Sequence, residues 1–188
     1  IVRSATTMGS LIDDMLTYTS TTLGQGLSLN LTRADFAGIA AEVVHEIELN
    51  HPDREFRLVL RGDLAGEWDA NRVRQGLSNL VTNAARHAPQ DSAITVTVDG
   101  EGTEGDVVAA IHNMGDPIPE QELRVIFQPF RRASTGGDNP AGVGGGTGLG
   151  LHIARSMAEA HGGTVTVESS AEAGTTFFMR LPRSAPAA

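Results

Sequence analysis

Gly146-Thr147-Gly148-Leu149-Gly150-Leu151 ends a glycine-rich stretch and directly precedes a segment with helical apolar spacing. Eight of the chain's 22 glycines lie between Gly136 and Leu151. Because glycine has no Cβ, backbone amides can crowd around an anion, and the first turn of a following helix adds N–H groups and the positive end of a dipole. The stretch predicts a lid that leads into a phosphate cradle. Taken alone, it fits a plain glycine linker equally well.

The composition limits the classes of function. With 188 residues, 40% of them hydrophobic, the chain can bury a real core, and without cysteine it has neither disulfides nor thiolate metal sites. A net charge of −9 and eight aromatic residues disfavour nucleic-acid binding. The charge of a phosphate-rich ligand would have to be met locally, and the candidate side chains are Arg86, Arg131 and Arg132.

Apolar runs long enough to span a membrane are absent from the sequence, and no signal peptide opens it. Since the chain begins at Ile1, we expect a piece of a longer protein whose missing front carries sensing or membrane segments. Residues 1–26 repeat apolar side chains at alternating steps of four and three, up to the break at Gly24-Gln25-Gly26. This pattern fits a helix that pairs with a partner helix, or an amphipathic helix lying on its own domain.

The rest of the chain alternates helical and strand patterns. Helices are expected over about 33–48, with Asp35 as a possible cap, after Asp69 as far as Pro89, from Pro119 to about Phe127, and from Leu149 to Gly162. Strands are expected over 56–60, 94–98, 107–111, 164–169 and 175–181, the last two as a hairpin around Gly174. The strand 107–111 is expected to be central. We infer a two-layer α+β sandwich of about 150 residues with helices on one sheet face, and a tail after Pro182.

Two carboxamides share one side of the helix after Asp69. Asn79 and Asn83 are four residues apart, and Arg86 lies near them at about 100° per residue. Amide oxygens can ligate Mg²⁺ and a guanidinium can bind phosphate. A solvated pair of asparagines on an exposed face is the simpler interpretation of these residues taken alone.

A second polar cluster, His112 to Pro119, follows the expected central strand. Ligand sites are common where strands end. Asn113 could accept a hydrogen bond from an adenine amino group, and Gly115 leaves room for a purine. An ordinary turn before a helix would also contain Gly and Pro.

Five short segments, in this order, resemble the motifs of the ATP-binding catalytic domain of sensor histidine kinases, within the superfamily of gyrase, heat-shock chaperone and mismatch-repair ATPases. The resemblance covers roughly Asp35 to Pro182, and the opening segment resembles the second helix of the family's dimerisation domain. The five matching segments are Asn79 to Ala84 (asparagine box), Asn113 to Gly115 (first glycine box), Phe127 to Phe130 (phenylalanine box), Gly146 to Leu151 (second glycine box) and Gly174 to Phe177 (last box).

The resemblance implies a Bergerat-type ATP-binding fold, a mixed and mostly antiparallel sheet with helices on one face, preceded by one long helix. It divides the chain into a partial dimerisation helix at 1–26, an ATP-binding catalytic domain at 27–183 and a tail at 184–188. It also implies the binding residues. These are Asn83 as the Mg²⁺ ligand, Asn79, Arg86 and His87 near the phosphates, Asn113 and Thr175 at adenine, Gly115 and Ile118 as further nucleotide-binding residues, Phe127 and Phe130 at the lid base, and Gly146, Thr147, Gly148, Leu149 and Gly150 as the phosphate loop.

The chain departs from the family pattern at several positions. Asn113 replaces the usual Asp of the first glycine box, which keeps one acceptor oxygen but loses the charge. Pro117 replaces that box's second glycine. The phosphoacceptor histidine has no counterpart here, because His45-Glu46 lies in surroundings unlike those of the family's phosphoacceptor helix. We interpret His45 as a surface residue.

The sequence therefore predicts a kinase module of a two-component sensor histidine kinase, which positions Mg·ATP for phosphoryl transfer to a histidine outside this chain. The expected partners are a response-regulator receiver domain and a second copy joined through the dimerisation helices. The expected location is the cytoplasm, with possible anchoring of the parent protein in the inner membrane. The alternative is a non-catalytic docking or dimerisation module with a degenerate first glycine box. A gyrase-type ATPase is disfavoured because Asn79 occupies the position of the water-activating glutamate.

Overall fold

A computed structural model describes residues 27–101, 105–131 and 148–184. Residues 1–26, which include the expected opening helix and its boundary, lie outside the described residues. So do Arg132, Gly146 and Thr147 of the expected nucleotide site and most of the expected tail. The division into a dimerisation helix, a catalytic domain and a tail therefore stays a prediction.

The described chain contains seven strands and four helices. The strands are β1 (Thr32–Asp35), β2 (Phe56–Arg61), β3 (Ala65–Trp68), β4 (Ile94–Asp99), β5 (Asp106–Asn113), β6 (Thr164–Ser170) and β7 (Gly174–Pro182). The helices are α1 (Phe36–Asn50), α2 (Ala70–His87), α3 (Glu120–Leu123) and α4 (Gly150–Ala160).

Five of the strands form one mixed sheet in the order β2-β4-β5-β7-β6. The pair β2 and β4 is parallel, while the other three neighbouring pairs are antiparallel. The expected mixed, mostly antiparallel sheet is confirmed, with β5 at its centre and β6 and β7 forming the expected hairpin. The functional consequence is that β5 ends beside the start of β7 and the end of β6.

Side chains alternate across the sheet, so that one face is buried. In β5 the residues Val107, Ala109, Ile111 and Asn113 are buried, whereas the residues between them keep partial contact with solvent. The buried face packs against α1, α2 and α4, whose apolar sides complete a single core. This arrangement confirms the two-layer sandwich with helices on one face.

The expected start of the first helix at Arg33 is wrong. Residues Thr32–Asp35 instead form β1, which pairs antiparallel with β3 in a separate two-stranded sheet. Asp35 is nevertheless the N-cap, since its side chain accepts a hydrogen bond from Ala37 N at 3.0 Å. The predicted helix began too early because apolar periodicity cannot distinguish a strand of only four residues from the first turn of a helix.

The single tryptophan joins the small sheet to the core. Trp68 is fully buried, its ring meets Phe36 edge to face at 5.7 Å, and its Nε1–H donates to Pro182 O at 2.6 Å. Gly66 lies against the same ring, where a Cβ would collide with it. The two-stranded sheet is therefore fastened to the last strand of the main sheet.

Candidate nucleotide-binding site

The asparagines of α2 border the buried stripe of the helix, as expected. Asp69 caps α2 by accepting from Arg72 N at 3.1 Å, and the buried stripe includes Val73, Leu77, Leu80 and Ala84. Asn79 and Asn83 are half-buried beside this stripe. Arg86 lies in the last turn and is exposed to solvent. Helical periodicity thus places two carboxamides and a guanidinium along one side of α2.

Asn79 meets the start of α4. A Cβ added to Gly150 would lie 3.3 Å from Oδ1 of Asn79, which is a tight contact. Within the described residues, Nδ2 of Asn79 is buried without a hydrogen-bond partner. The N-cap residue of α4 is Leu149, whose aliphatic side chain cannot accept a hydrogen bond from the first turn of the helix. A buried amide donor beside the N-terminus of a helix has the donor chemistry of an anion site.

Gly148 lies against the end of the phenylalanine box. Phe130 N donates to Gly148 O at 3.0 Å, which joins the two sides of the glycine-rich segment. Gly148 has φ +72°, and a Cβ there would lie 2.8 Å from Arg131 O. Only glycine satisfies both the left-handed backbone and this close approach. The structure therefore brings Phe130 and Gly148 together at the base of the expected lid.

The two phenylalanines of that box have different environments. Phe127 packs against the core, meets Phe177 edge to face at 6.3 Å, and has the Arg155 guanidinium 5.9 Å from its ring centroid. His152 Nδ1 donates to Phe127 O at 3.2 Å. Phe130 is 58% exposed and has φ +61°. Phe127 is thus a partly buried residue that packs against the core and ties α4 to the lid base, while Phe130 is exposed.

The end of β5 and the start of β7 bring two buried polar side chains together. Asn113 and Thr175 are register partners, 3% and 4% exposed. Nδ2 of Asn113 donates to Met114 O at 2.8 Å. The Thr175 hydroxyl is 2.7 Å from that of Ser169 on β6. Buried polar groups on the helix-covered face of a sheet are uncommon without a ligand or a network to satisfy them.

The loop after β5 closes over this corner. A Cβ on Gly115 would lie 2.8 Å from His87 O, so the loop presses directly on the end of α2. Ile118 N donates to Ser169 Oγ at 2.9 Å, and the Ile118 side chain is half-buried. The fold therefore brings His87, Gly115, Ile118, Asn113 and Thr175 to one end of the sandwich.

The surroundings of His87 lower its pKa. Partial burial of its ring by neighbouring atoms lowers the pKa of His87 below its usual value of 6.5, and the positive charge of Arg86 lowers it further. The residue is nevertheless exposed to solvent. Beside a phosphate, the imidazole can donate a hydrogen bond, whereas Arg86 supplies a permanent positive charge.

The carboxamide oxygens of α2 are potential metal ligands. Over the described residues, no group of three or more histidine and acidic side chains could hold a metal ion. An Mg²⁺ ion at α2 would rely on an amide oxygen such as that of Asn83, together with phosphate oxygens and water, which suits a cation that keeps several waters. This donor set fits Mg²⁺ bound with a nucleotide.

Ser169 is the site residue that motif comparison missed. It lies at the end of β6 on the same face as Val165 and Val167, where alternation places an apolar side chain. Ser169 could have been recognised in the sequence as a polar residue on the apolar face of a strand, next to the strand's end.

The chain is similar to a known protein family and to named relatives. The family described as "Histidine kinase-, DNA gyrase B-, and HSP90-like ATPase" matches residues 68–185. Sensor protein IrlS of Burkholderia pseudomallei is 34% identical over 93% of this chain. The chain spans 36% of the length of IrlS.

Solved structures agree in fold. The catalytic domain of histidine kinase ThkA superposes with a TM-score of 0.67 at 29% identity, covering 82% of this chain and 97% of that one. ThkA in complex with the response regulator protein TrrA gives a TM-score of 0.71 at 25% identity, covering 97% of this chain and 49% of that one.

Within the described segments, none of the helices has both the length and the apolar character needed to span a bilayer. The fold, the order of the boxes around one corner of the sandwich and the match over 68–185 agree. The chain therefore contains an ATP-binding catalytic domain of the sensor histidine kinase type and belongs to the family of histidine kinase-, DNA gyrase B- and HSP90-like ATPases.

Proposed function

We propose that this chain is the kinase module of a two-component sensor histidine kinase, which binds Mg·ATP between α2 and the start of α4 and positions its terminal phosphoryl group for attack by a histidine outside the chain. The observation that carries the proposal is the buried, unpaired Nδ2 of Asn79 beside Gly150. A triphosphate oxygen would satisfy this donor. Leaving it unpaired costs about 1–3 kcal/mol.

Most of the predicted residues have a role in this proposal. Asn83 supplies an amide oxygen to Mg²⁺, Arg86 and His87 contact phosphate oxygens, and Asn113 and Thr175 contact the adenine. The backbone amides of Gly148, Leu149 and Gly150, with those of Gly146 and Thr147, hold the phosphates. Mg²⁺ would neutralise the charge that develops on the transferred group. The chain itself would position the reacting groups and supply fixed hydrogen-bond donors.

The proposed partners follow from the same module. ThkA, a histidine kinase of the same fold, is known in complex with a response regulator protein. We therefore propose that a response-regulator receiver domain finally accepts the phosphoryl group. Residues 1–26 would pair with their counterparts in a second copy. The module would work in the cytoplasm, with any membrane anchor in segments outside the chain. The comparisons give no support to the non-catalytic docking alternative.

Thermal unfolding with nucleotide tests the proposal. A ligand that binds only the native state at about 100 times its Kd adds about 2.7 kcal/mol of stability. We expect ATP with Mg²⁺ to raise the Tm of the wild-type chain, and EDTA to remove most of the increase. Asn83→Ala should abolish the Mg²⁺-dependent part.

Asn71→Ala is the matched control, because Asn71 lies on the exposed side of the same helix, outside the site. Its Tm increase with Mg·ATP should equal that of the wild type. An identical Mg²⁺-dependent increase in Asn83→Ala would contradict the metal assignment. No increase in the wild type would contradict the proposed function.

A further inference from the structure

A chain of hydrogen bonds crosses the corner of the sandwich where the proposed adenine residues meet. It begins at the backbone N–H of Ile118, which donates to Ser169 Oγ at 2.9 Å. It continues to the hydroxyl of Thr175, 2.7 Å from Ser169 Oγ. Asn113, Thr175 and Ser169 stand side by side on three adjacent strands because they are successive register partners.

The chain of bonds has a preferred direction. Ser169 Oγ already accepts the Ile118 N–H, which polarises its own O–H and makes it a better donor. Donation from Ser169 to Thr175 Oγ1 leaves the Thr175 proton for another acceptor. Thr175 is only 4% exposed, so that acceptor has to lie in the corner itself.

The neighbouring amide has the opposite polarity. Asn113 directs Nδ2 to Met114 O at 2.8 Å, which leaves Oδ1 as the group able to contact a ligand. The corner therefore offers one acceptor, from Asn113, next to one donor, from Thr175.

This pair matches one purine and not the other. The pairing edge of adenine carries an amino donor beside a ring-nitrogen acceptor. Guanine carries a carbonyl acceptor beside an N–H donor, so both of its contacts would be mismatched. A site whose buried polar groups are left unpaired by the wrong ligand discriminates strongly.

On the proposed function that Mg·ATP occupies this site, we propose that Ser169 is a positioning residue that fixes the Thr175 hydroxyl as a donor and so selects adenine over guanine. Ser169 need not touch the nucleotide. It acts through Thr175, and by anchoring Ile118 it also holds the loop that follows Asn113.

Removing the Ser169 hydroxyl breaks both bonds. The Thr175 hydroxyl is then free to rotate and to act as an acceptor, so the preference for a ring-nitrogen acceptor is lost. In Ser169→Ala we expect the Kd for Mg·ATP to rise about tenfold, as the loss of one oriented hydrogen bond predicts. The Kd for Mg·GTP should not rise, because guanine makes no favourable hydrogen bond to the oriented Thr175 donor that the substitution could remove.

The test is the ratio of the two dissociation constants, measured by calorimetry on the wild type, Ser169→Ala, Ser169→Thr and Thr166→Ala. Thr166 lies on the same strand with its side chain exposed and is the matched control. We expect the ratio for GTP over ATP to fall about tenfold in Ser169→Ala, to recover in Ser169→Thr, which restores the hydroxyl, and to stay unchanged in Thr166→Ala.

A purely structural role for Ser169 would weaken both nucleotides equally and leave the ratio unchanged, which would overturn the inference. Unchanged affinities for both nucleotides would overturn it as well. If the wild type itself binds neither nucleotide, the proposed function fails, and this outcome is distinct from a failure of the role of Ser169.

Discussion

The buried imidazole of His161 accepts a hydrogen bond at Nε2 from the backbone N–H of Asp69, at 3.1 Å. Its other nitrogen, Nδ1, donates to Met157 O at 2.8 Å. The residue after α4 thus holds the N-cap residue of α2. Because Asn79 and Gly150 belong to these same two helices, His161 fastens the scaffold of the proposed site at its far end.

Replacing His161 with alanine should lower the free energy of unfolding by about 2–4 kcal/mol, because the substitution leaves a cavity and an unpaired buried N–H at Asp69. Urea unfolding followed by the fluorescence of the single, buried Trp68 measures this change. His45→Ala, on the exposed side of α1, is the control and should stay within about 0.5 kcal/mol of the wild type. Equal stabilities for the two variants would contradict the role of His161.

His161 should also make stability depend on pH. Burial lowers the pKa of His161 below 6.5, against the smaller raising effects of the Met157 hydrogen bond and the Asp69 charge. The unfolded chain therefore binds a proton near pH 6.5 that the folded chain does not. The contribution of His161 is present above about pH 6.5 and falls as the pH drops toward the folded pKa, by at most about 1.4 kcal/mol per pH unit.

Urea unfolding at pH 7.5 and at pH 5.5 tests this dependence. His87, whose pKa is also lowered, contributes in the same direction and remains in the His161→Ala variant. That variant should consequently lose less stability than the wild type between the two pH values. An equal loss in both proteins would show that His161 does not titrate in this way.

Two glycine-to-alanine substitutions should have opposite effects on stability. Gly38 lies in α1 with open space around its Cβ position, so Gly38→Ala should stabilise the chain by about 0.5–1 kcal/mol. In Gly66→Ala the new methyl group would collide with the buried Trp68 ring, which should destabilise the chain by about 1–3 kcal/mol. Denaturant midpoints decide the signs, and a destabilised Gly38→Ala or a stabilised Gly66→Ala would contradict the packing described for these positions.

Gly148→Ala should weaken nucleotide binding and lower the stability of the chain. The left-handed backbone costs a residue with a Cβ about 1–2 kcal/mol, and the approach to Arg131 O adds to that cost. We expect the Kd for Mg·ATP to rise at least about tenfold, and urea unfolding without nucleotide to show a loss of stability of at least about 1–2 kcal/mol. Unchanged affinity would exclude this backbone from phosphate binding.

Most of the architecture could be predicted from the sequence. Strict alternation in β4 and helical spacing after Asp69 identified these elements, and Asp69 and Asp35 were correctly identified as caps. The two-stranded sheet of β1 and β3 was missed because four residues are too few for periodicity to distinguish a strand from an extended loop. The parallel pairing of β2 with β4 was not foreseen either, since strand direction depends on contacts between residues far apart in the sequence.

The motifs of the site could be predicted from the sequence, but the hydrogen bonds that connect its residues could not. The boxes identified Asn113 and Thr175, and the structure shows them to be adjacent on the buried face. Ser169 carries no motif, and only the register of β6 on β7 places its hydroxyl between Ile118 and Thr175. Residues that act by holding other residues depend on tertiary contacts, so a linear pattern does not reveal them.

Calorimetric titration of the wild-type chain with ATP, in the presence and absence of Mg²⁺, tests the central claim most directly. We predict one binding site per chain, with affinity that falls when Mg²⁺ is withheld and with Asn83→Ala losing that metal dependence. No heat of binding for ATP with Mg²⁺, or an affinity indifferent to both the metal and Asn83, would contradict the account.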